Sequence, residues 1–391
     1  AEQAKAAEQE KAAYDVNNYI LYFVHLTCTQ DFNTGIQKVV RDLSVGLNKK
    51  KKLILIKYNE DKDDYEVIND NELQIFRKYN GLNHYEGGYN FEKLSSIYNN
   101  IKNERNILII PEIYFCNQYE LFSKFFQLGK NRNYNISHIY YDDTIYYNNS
   151  LDKSNREMWF DEYIKTLSLT NIIPISYYSE KTYKFHKNRL GINSIQIIQP
   201  IQLGVIDSVD KIKLNKNINI ESNLIISNIS NTERKNCKNL IEAFKLLRSL
   251  YPNLKLIIFG NGWKNKLDKE NNIEYKSFIS DEEKENLFIN CLFSVYPSLK
   301  EGYGIPIYES LIKGKCVICH NETSTLEIAN CISQPCVPTV DCKDVNVLFE
   351  EMNKYCNKEY LVKAQESITN VKFKTNKEYS EAFFIIVTNQ E

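Results

Sequence analysis

The sequence predicts an α/β protein with two domains, each built on a parallel sheet with crossover helices. Its 391 residues suit about two or three domains of ordinary size. From residue 18 onward, short apolar runs alternate with amphipathic stretches, which is the pattern of parallel strands joined by helices. A polar stretch at about residues 200–220 interrupts this alternation, which starts again at Asn223. We therefore place the first domain at residues 15–205 and the second at residues 206–391.

The first domain has the pattern of a Rossmann-like unit. Ile36, Val39, Val40 and Leu43 recur at helical spacing and indicate the buried face of a helix at residues 35–47. Further helices are expected at residues 119–128 and 156–167. Strands are expected at residues 19–27, 53–58, 106–110, 137–141 and 171–175.

The second domain repeats this pattern. Ser280 followed by Glu283 indicates a capping box at the start of a helix. Pro306 stands where a first helical residue should be, and Gly314 stands just past the end of that helix. Strands are expected at residues 224–229, 255–259, 292–296 and 316–319, and the last helix of the chain could cross back to the first domain.

Composition and charge exclude several classes of protein. Lys and Arg number 49 against 50 Asp and Glu, so no basic field is available to bind nucleic acid. The charged fraction of 25% and the hydrophobic fraction of 43% are those of a protein with a packed core. No apolar run reaches the roughly 18 residues that span a bilayer. An apolar secretory segment is not evident either, so we expect a cytoplasmic protein whose ten cysteines are thiols.

The first 14 residues have a foreign composition. They contain six alanines, whereas the rest of the chain contains four. Ala, Glu, Gln and Lys are strong helix formers. We interpret residues 1–14 as a fusion linker or similar added helix and leave them out of the functional argument.

A cysteine-rich string could be written as a metal or haem motif. Cys316, Cys319 and His320 have haem-attachment spacing, and with Cys331 and Cys336 they could form a zinc site. The string is also a short apolar run, and positions i and i+3 of a strand point to opposite faces. We therefore expect a buried strand with no metal.

Each of two charged runs can be interpreted either as a solvated loop or as a binding site. Asp61 and Asp63 resemble an Asp-x-Asp metal clamp but lie in a polar run, which favours a solvated loop. The four lysines at positions 49–52 suit a solvated turn before a strand, and peripheral contact with anionic lipid stays open.

Candidate anion sites lie where strands end and helices begin. In open parallel sheets, helix N-termini at the carboxyl ends of strands present free N–H groups to ligands. Asn33, Thr34 and Gly35 form one such turn, for which phosphate contact and a plain turn are both open. Arg234 and Lys235 lie at another, and two cations at a helix start suit a diphosphate. We expect this basic pair at the surface of a cleft, where its substitution should leave the fold intact.

A glycine-containing loop after the strand at residues 292–296 carries two carboxylates. Gly302 and Gly304 let the backbone approach a ligand closely. Glu301 lies in the loop and Glu309 about one turn into the next helix, so both carboxylates can face one pocket. An exposed loop glutamate beside a helix-start glutamate is the alternative.

These motifs together resemble those of a known family. Residues 297–309, with two glutamates separated by seven residues, resemble the donor-site signature of the retaining GT-B glycosyltransferases of family four. The similarity covers roughly residues 18–385 and is dense from 223 to 332. Residues 224–247 resemble the family's Arg-Lys-Asn segment, residues 255–263 its Gly-x-Gly loop, and residues 314–329 the strand after the signature. Residues 33–43 resemble the first-helix motif of bacterial surface-polysaccharide enzymes, and residues 197–207 resemble the interdomain linker.

The resemblance implies a GT-B fold, in which two Rossmann-like domains face a cleft, and it assigns donor-site roles. Glu309 would bind the ribose hydroxyls of the nucleotide, and Glu301 the hydroxyls of the donor sugar. Arg234 and Lys235 would neutralise the leaving diphosphate. The remaining donor-binding residues implied are Thr34, Gly35, Asn236, Gly260, Gly262, Gly302, Tyr303, Gly304 and Ile305.

The chain departs from the family pattern at one place. Many relatives carry a His-Asp or Tyr-Asp step at the end of a strand in the first domain, and the usual histidine is missing here. Asp142 is our candidate for the polar contact to acceptor or donor. Asp143 is the alternative, and His138 is interpreted as a strand residue.

The implied activity is retaining transfer of a hexose-type sugar from a nucleotide diphosphate sugar to a glycan, lipid-linked or protein acceptor. No metal and no cofactor are required, because cations of the chain meet the diphosphate. A GT-B epimerase and a catalytically silent GT-B subunit that scaffolds a partner remain alternatives. Base, sugar, acceptor, linkage and oligomeric state stay open.

Overall fold

The computed structural model describes residues 16–31, 34–79, 89–112, 119–147, 153–193, 197, 199–206, 222–277 and 279–389. Residues 1–14 and Asn33, on which two of our expectations fall, lie outside these ranges. The chain divides into two compact units. The first unit is Ala1–Gly204 with Lys374–Glu391, and the second is Val205–Phe373.

The first unit contains a six-stranded sheet in the order β3-β2-β1-β4-β5-β6. All neighbouring strands are parallel except the β2–β3 hairpin. Most side chains of these strands are buried, as expected for a parallel sheet covered on both faces. The strands are β1 (Tyr19–Phe23), β2 (Lys52–Asn59), β3 (Asp64–Val67), β4 (Ile107–Ile110), β5 (Asn135–Tyr140) and β6 (Asn171–Pro174).

Helices connect these strands, and the last helix of the chain returns to this unit. That last helix, α14 (Asn376–Thr388), packs against the helix Gly35–Asn48, and Lys50 Nζ lies 2.9 Å from Glu381 Oε1. The others are α1 (His25–Thr29), α2 (Gly35–Asn48), α3 (Asp70–Arg77), α4 (Phe91–Ile101), α5 (Tyr119–Asn131), α6 (Lys153–Leu167) and α7 (Tyr177–Arg189).

The first strand is shorter than the sequence suggests, because a side chain distant in sequence starts a helix there. Glu112 Oε1 accepts the N–H of Leu26 at 2.7 Å, and its Oε2 accepts the N–H of Thr27 at 3.1 Å. These bonds satisfy donors in the first turn of α1. Burial raises the pKa of Glu112 to about 7, although the hydrogen bonds from Thr27 and Leu26 oppose the shift.

The strand β3 was not predicted, because it lies in a polar run. Tyr65 and Val67 are its buried residues, and they alternate with half-buried Asp64 and Glu66. Asp61 and Asp63 lie in the exposed turn between β2 and β3, as the solvated-loop interpretation predicts.

The second unit contains a seven-stranded sheet in the order β13-β12-β11-β7-β8-β10-β9. Only β9 runs antiparallel to its neighbour among these described strands. Its strands are β7 (Leu224–Asn228), β8 (Lys255–Phe259), β9 (Lys266–Asp268), β10 (Ile273–Lys276), β11 (Phe293–Tyr296), β12 (Val317–His320) and β13 (Thr339–Val340).

The helix signals of the second unit are largely confirmed. Ser280 Oγ accepts the N–H of Glu283 at 3.1 Å, but the Glu283 carboxylate contacts Lys276 Nζ at 2.5 Å, so only half of the predicted capping box forms. Gly304 precedes α10, and Pro306 is its second residue. The helices are α8 (Cys237–Leu250), α9 (Asp281–Asn290), α10 (Ile305–Ile312), α11 (Thr323–Ile332), α12 (Val345–Cys356) and α13 (Lys358–Glu366).

The cysteine-rich string is a buried strand. Cys319 lies in β12 and Cys316 directly precedes it, and both are free and buried. Within the described ranges, no group of three or more His, Cys, Asp or Glu side chains is arranged to hold a metal ion. Among the same residues, no helix has both the length and the apolar character needed to cross a bilayer.

Candidate functional site

Three residues that the sequence singled out meet in the second unit. Lys235 Nζ lies 2.5 Å from Glu301 Oε1, and Arg234 Nη1 lies 2.8 Å from the same oxygen. Ser298 Oγ also donates to Oε1. Glu301 Oε1 thus accepts hydrogen bonds from all three side chains, and Glu301 Oε2 accepts from none of the three.

Charge compensation decides the ionisation of Glu301. Burial alone would raise the pKa of its carboxyl, but the cations of Lys235 and Arg234 outweigh burial and hold the pKa below its usual range. Glu301 is therefore an anion in the folded protein. With two cations around one carboxylate, the cluster has one excess positive charge, which favours an anionic ligand.

Backbone contacts between two loops bring this cluster together. The basic pair lies in a short 3-10 turn, Glu233–Lys235, that follows β7. The N–H of Leu299, in the loop after β11, donates to the carbonyl of Arg234 at 2.8 Å. Arg234 Nη1 in turn donates to the carbonyl of Lys300 at 3.0 Å. Because β7 and β11 are parallel neighbours, their carboxyl ends place both loops at the same edge of the sheet.

The expectation of a surface position is wrong for Lys235. The residue is only 8% exposed, and its Nζ also contacts the hydroxyl of Tyr296 at 2.7 Å. Tyr296 and Glu301 cover the lysine, and the ammonium lies 4.8 Å from the centroid of the Tyr296 ring. Arg234 is the accessible member of the pair, with a side chain that is 37% exposed.

Asn236 is the residue that precedes α8. Its backbone is left-handed, with φ 55°, and its side-chain amide donates to the carbonyl of Cys342 at 2.7 Å. Left-handed backbone is tolerated by asparagine better than by most residues. The amide side chain is therefore occupied within the protein, and the N-terminus of α8 follows directly on the basic pair.

Glu309 lies in α10 and has different partners. Its Oε1 contacts Lys284 Nζ at 2.5 Å, and its Oε2 accepts from Asn228 Nδ2 at 3.0 Å. Lys284 belongs to α9, and Asn228 is the last residue of β7. The Glu309 side chain is 24% exposed, so a ligand can reach it.

The loop between Glu301 and α10 is shaped by Gly304. This residue has φ 97°, and a Cβ there would lie 3.3 Å from side-chain carbons of Ile307 and Ile328. Gly302 and Tyr303 are buried, and the Tyr303 ring stacks on Tyr308 with centroids 5.6 Å apart. Ile305 begins α10, whose first N–H groups have no partner within the helix.

The Gly-x-Gly loop packs against the loop after β7. Gly260 has φ 146°, and a Cβ there would lie 2.6 Å from the carbonyl oxygen of Ile229, so only glycine fits. Trp263 Nε1 donates to the same carbonyl at 2.7 Å. Gly262 has φ 83°, and its carbonyl accepts from Asn231 Nδ2 at 3.2 Å. In this structure both glycines join two loops of the sheet edge.

In the first unit, Thr34 and Gly35 lie at the start of α2. Thr34 precedes the helix, and its N–H donates to Gln37 Oε1 at 3.2 Å. Gly35 is the first helical residue and is exposed. Both residues are therefore at a helix N-terminus, as the sequence predicts.

Asp142 and Asp143, which follow the end of β5, have different partners. Asp142 Oδ1 accepts from the N–H and the hydroxyl of Thr144, at 2.9 and 2.7 Å, and the residue is half-buried. Asp143 is buried, and its Oδ2 lies 3.2 Å from Nε2 of His186 on α7. His138 is a buried strand residue, as predicted, 3.1 Å from the hydroxyl of Tyr163, and burial lowers its pKa to about 3. Asp142 is thus the more accessible of the two acids.

Sequence reasoning missed the partners of the two glutamates. Tyr296 and Ser298 contact the Glu301 cluster, and Asn228 and Lys284 contact Glu309. A weak signal existed for Asn228 and Tyr296, because each ends a strand at the edge where ligands gather. Nothing in the sequence distinguishes Lys284 from a solvated lysine on a helix surface.

Part of the chain matches a known family of proteins. Residues 208–368 match the family model described as "Glycosyl transferases group 1". The O-antigen chain mannosyltransferase B of Escherichia coli is 35% identical over an alignment of 108 residues, and the match covers 24% of this chain and 28% of that protein. The match therefore spans little more than a quarter of that relative's length.

Solved structures resemble the chain over almost its whole length. Sucrose-phosphate synthase of Thermosynechococcus elongatus superposes with a TM-score of 0.62 at 15% identity, covering 95% of this chain and 98% of that one. HepE of Anabaena, in complex with UDP, gives a TM-score of 0.60 at 11% identity, with 95% and 100% covered. At such identities the likeness concerns the fold. The chain therefore has the GT-B fold, with two Rossmann-like α/β domains, and its residues 208–368 match the group 1 glycosyl transferases.

Proposed function

We propose that the chain is a retaining glycosyltransferase that moves a hexose-type sugar from a nucleotide diphosphate sugar to an acceptor hydroxyl. The observation that carries this proposal is the junction of Arg234, Lys235 and Glu301 at the start of α8. It lies within the segment that matches the group 1 glycosyl transferases. A cationic cluster beside a helix N-terminus is suited to a diphosphate.

The cations would act on the leaving group. When the bond between the anomeric carbon and the β-phosphate oxygen breaks, that oxygen gains negative charge. Arg234 and Lys235 are fixed in place before this happens, so they can stabilise the new charge without reorganisation. Arg234, the more exposed of the two, would make the first contact with the diphosphate.

Glu301 would then have two tasks. Through Oε1 it holds the basic pair in position. Through Oε2 it could accept hydroxyls of the donor sugar, and the amides of Gly302, Tyr303, Gly304 and Ile305 would complete the sugar pocket. Glu309 would accept the ribose hydroxyls of the nucleotide, with Lys284 and Asn228 orienting its carboxylate.

Retention would follow from the direction of attack. The acceptor hydroxyl would approach the anomeric carbon from the face that the diphosphate leaves. Its proton would pass to a phosphate oxygen, and the new glycosidic bond would keep the configuration of the donor. Asp142 would contribute a polar contact to acceptor or donor at the end of β5. No metal ion is needed in this scheme, because Arg234 and Lys235 carry the positive charge.

The relative that matches part of the chain suggests the class of sugar and acceptor. Its name describes a mannosyltransferase of the O-antigen chain. A hexose donor and a growing glycan, free or lipid-linked, are therefore the first substrates to test. A protein acceptor remains in the same proposal.

A panel of nucleotide sugars tests this function. Donors with uridine, guanosine and other bases should be compared by thermal shift, because a ligand at a hundredfold excess over its Kd stabilises by about 2.7 kcal/mol. The stabilising donor is then incubated with glycan acceptors, and the anomeric configuration of the product is read by NMR. Transfer with retention supports the proposal, interconversion of the donor without transfer indicates an epimerase, and a folded protein that binds no donor indicates a silent GT-B subunit.

A further inference from the structure

A short turn after β5 presents an aromatic ring to solvent near a carboxylate. It is a 3-10 turn, Thr144–Tyr147, and its last residue, Tyr147, is 42% exposed. Asp142, our candidate for a polar contact to acceptor or donor, lies just before the turn and is half-buried. The carboxyl ends of strands are the edge of an open parallel sheet at which ligands gather. The exposed ring therefore lies at a place where a ligand is expected.

Hydrogen bonds fix the backbone of this turn. Asp142 Oδ1 accepts from the N–H and the hydroxyl of Thr144, at 2.9 and 2.7 Å. The N–H of Tyr146 donates to the carbonyl of Asp143 at 3.0 Å. Asp143 is buried, and its Oδ2 lies 3.2 Å from His186 Nε2 on α7. The turn is thus bonded both within itself and to the adjacent helix.

Tyr146 anchors the ring of Tyr147. The Tyr146 ring packs against Phe160 of α6 and His186 of α7, with centroids 5.4 and 4.7 Å apart. The guanidinium carbon of Arg189 lies 5.2 Å from the centroid of the same ring. Tyr147 meets Tyr146 edge to face, with centroids 5.1 Å apart and ring planes at 83°. This contact covers only part of the Tyr147 ring, so the ring is held in place while it remains open to solvent.

A fixed aromatic ring close to a carboxylate suits a pyranose. The C–H groups on one face of a hexose ring pack against an aromatic ring, and the hydroxyls at its rim donate to a carboxylate. Tyrosine offers a large apolar area with only two side-chain torsions to fix, so little entropy is lost when a ligand covers it. Because Tyr146 already holds the Tyr147 ring, the loss on binding is smaller still.

We propose that Tyr147 stacks on a sugar ring of the acceptor glycan, at a subsite next to Asp142. The inference rests on the proposed function, in which Glu301 of the second unit binds the sugar of the donor. The ring of Tyr147 is therefore offered to the other sugar of the reaction. A lipid or peptide acceptor lacks the C–H face of a pyranose, so this subsite selects an acceptor that already carries sugar.

Steady-state kinetics with the full chain test the subsite. Tyr147→Ala should raise the KM for the glycan acceptor about tenfold, as expected from the loss of a stacked ring, and leave kcat and the KM for the donor within about twofold. Tyr147→Phe and Tyr147→Trp keep a ring, so their acceptor KM should stay within about threefold of the wild-type value. Hydrolysis of the donor without acceptor should be unchanged in all three variants, because water needs no stacking surface.

The matched control is Tyr177→Ala. Tyr177 is another tyrosine of the first unit, is 54% exposed and lies on α7 outside the turn. Its substitution should leave the KM for acceptor and donor unchanged. Thermal melts verify that each variant is folded. Saturation-transfer NMR with the glycan and without donor adds a measurement that does not require turnover: the sugar-ring signals should weaken in Tyr147→Ala and persist in Tyr147→Phe.

The outcomes separate this inference from the proposed function. If the wild type transfers sugar and Tyr147→Ala keeps the wild-type acceptor KM, the inference is overturned and the proposed function stands. A raised donor KM with an unchanged acceptor KM would assign the ring to the donor and overturn the inference as well. If the wild type transfers to no glycan, the proposed function fails, and NMR with mannotriose and maltotriose decides the matter. Binding that depends on the Tyr147 ring would still support a sugar subsite, and the absence of such binding would overturn it.

Discussion

Lys235 Nζ contacts Glu301 Oε1 at 2.5 Å, and both side chains are almost completely removed from solvent, at 10% and 12% exposure. Arg234 shares the same oxygen but remains partly exposed. The basic pair therefore has a structural role beside the chemical role that we propose for it. Substitutions in this cluster must be judged on stability and activity together.

Removal of the buried ion pair between Lys235 and Glu301 should lower the free energy of unfolding. Lys235→Ala leaves the Glu301 carboxylate buried with Arg234 as its remaining cation, so the free energy of unfolding should fall by about 2–4 kcal/mol. Adding Glu301→Gln to Lys235→Ala removes both charges and should restore part of this loss. Urea unfolding of the single and double variants measures the coupling. Strictly additive effects would contradict a direct interaction.

Glu309 should matter for binding more than for chemistry. If it holds the ribose, whose position changes little during reaction, Glu309→Ala should raise the donor Kd at least tenfold and change kcat less than threefold. Lys284→Met should do the same more weakly, and Lys284→Arg should restore binding. Glu285→Gln is the matched control, because Glu285 pairs with Lys313 on the neighbouring helix surface. Titration with the nucleoside diphosphate and steady-state kinetics separate the two effects. A larger loss in kcat than in affinity would place Glu309 among the groups that act in the transition state.

Transfer should not depend on a metal ion. The proposed site neutralises the diphosphate with Arg234 and Lys235, so EDTA should leave the rate unchanged within about twofold. The rate is measured with EDTA, after dialysis, and with added manganese or magnesium. If EDTA abolished transfer and manganese restored it, Asp61 and Asp63 would need testing as ligands despite their place in an exposed turn.

Buried His138 should make the protein sensitive to acid. Burial lowers its pKa from 6.5 to about 3, so the native protein excludes a proton that the unfolded chain takes up below pH 6.5. Stability from this group is complete above pH 6.5 and falls as the pH decreases towards 3, by about 2 kcal/mol at pH 5. His138→Gln keeps a hydrogen-bonding group near Tyr163 and removes the titration. The stability difference between wild type and variant should therefore shrink by this amount between pH 8 and pH 5. Parallel pH profiles would show that His138 is not the cause.

The parallel core of the fold could be predicted from the sequence. Its strands are short apolar runs, and strands such as β8 (Lys255–Phe259) begin and end where the sequence places them. Elements that depend on tertiary contacts could not be predicted. The strand β1 ends at Phe23 because Glu112 starts a helix there, and the polar segment of β3 becomes a strand by pairing with β2.

The residues of the candidate site could be named from the sequence, but their arrangement could not. The spacing of Glu301 and Glu309 and the adjacent cations Arg234 and Lys235 are visible in the sequence. That Glu301 bonds the basic pair, and that Lys284 bonds Glu309, depends on side chains that are 66 and 25 residues apart in the chain. No local pattern reports such contacts, which is why the expected exposure of Lys235 was wrong.

The most direct test of the account is kcat for Lys235→Ala and Arg234→Ala with the donor identified in the panel. Both variants are assayed at a temperature where circular dichroism and a thermal melt show them folded, with Lys313→Ala as a surface control. If the two cations stabilise the leaving diphosphate, kcat should fall by about a hundredfold to a thousandfold in each, while the control keeps the wild-type rate. A folded Lys235→Ala or Arg234→Ala protein with a near-normal kcat would contradict the proposed mechanism.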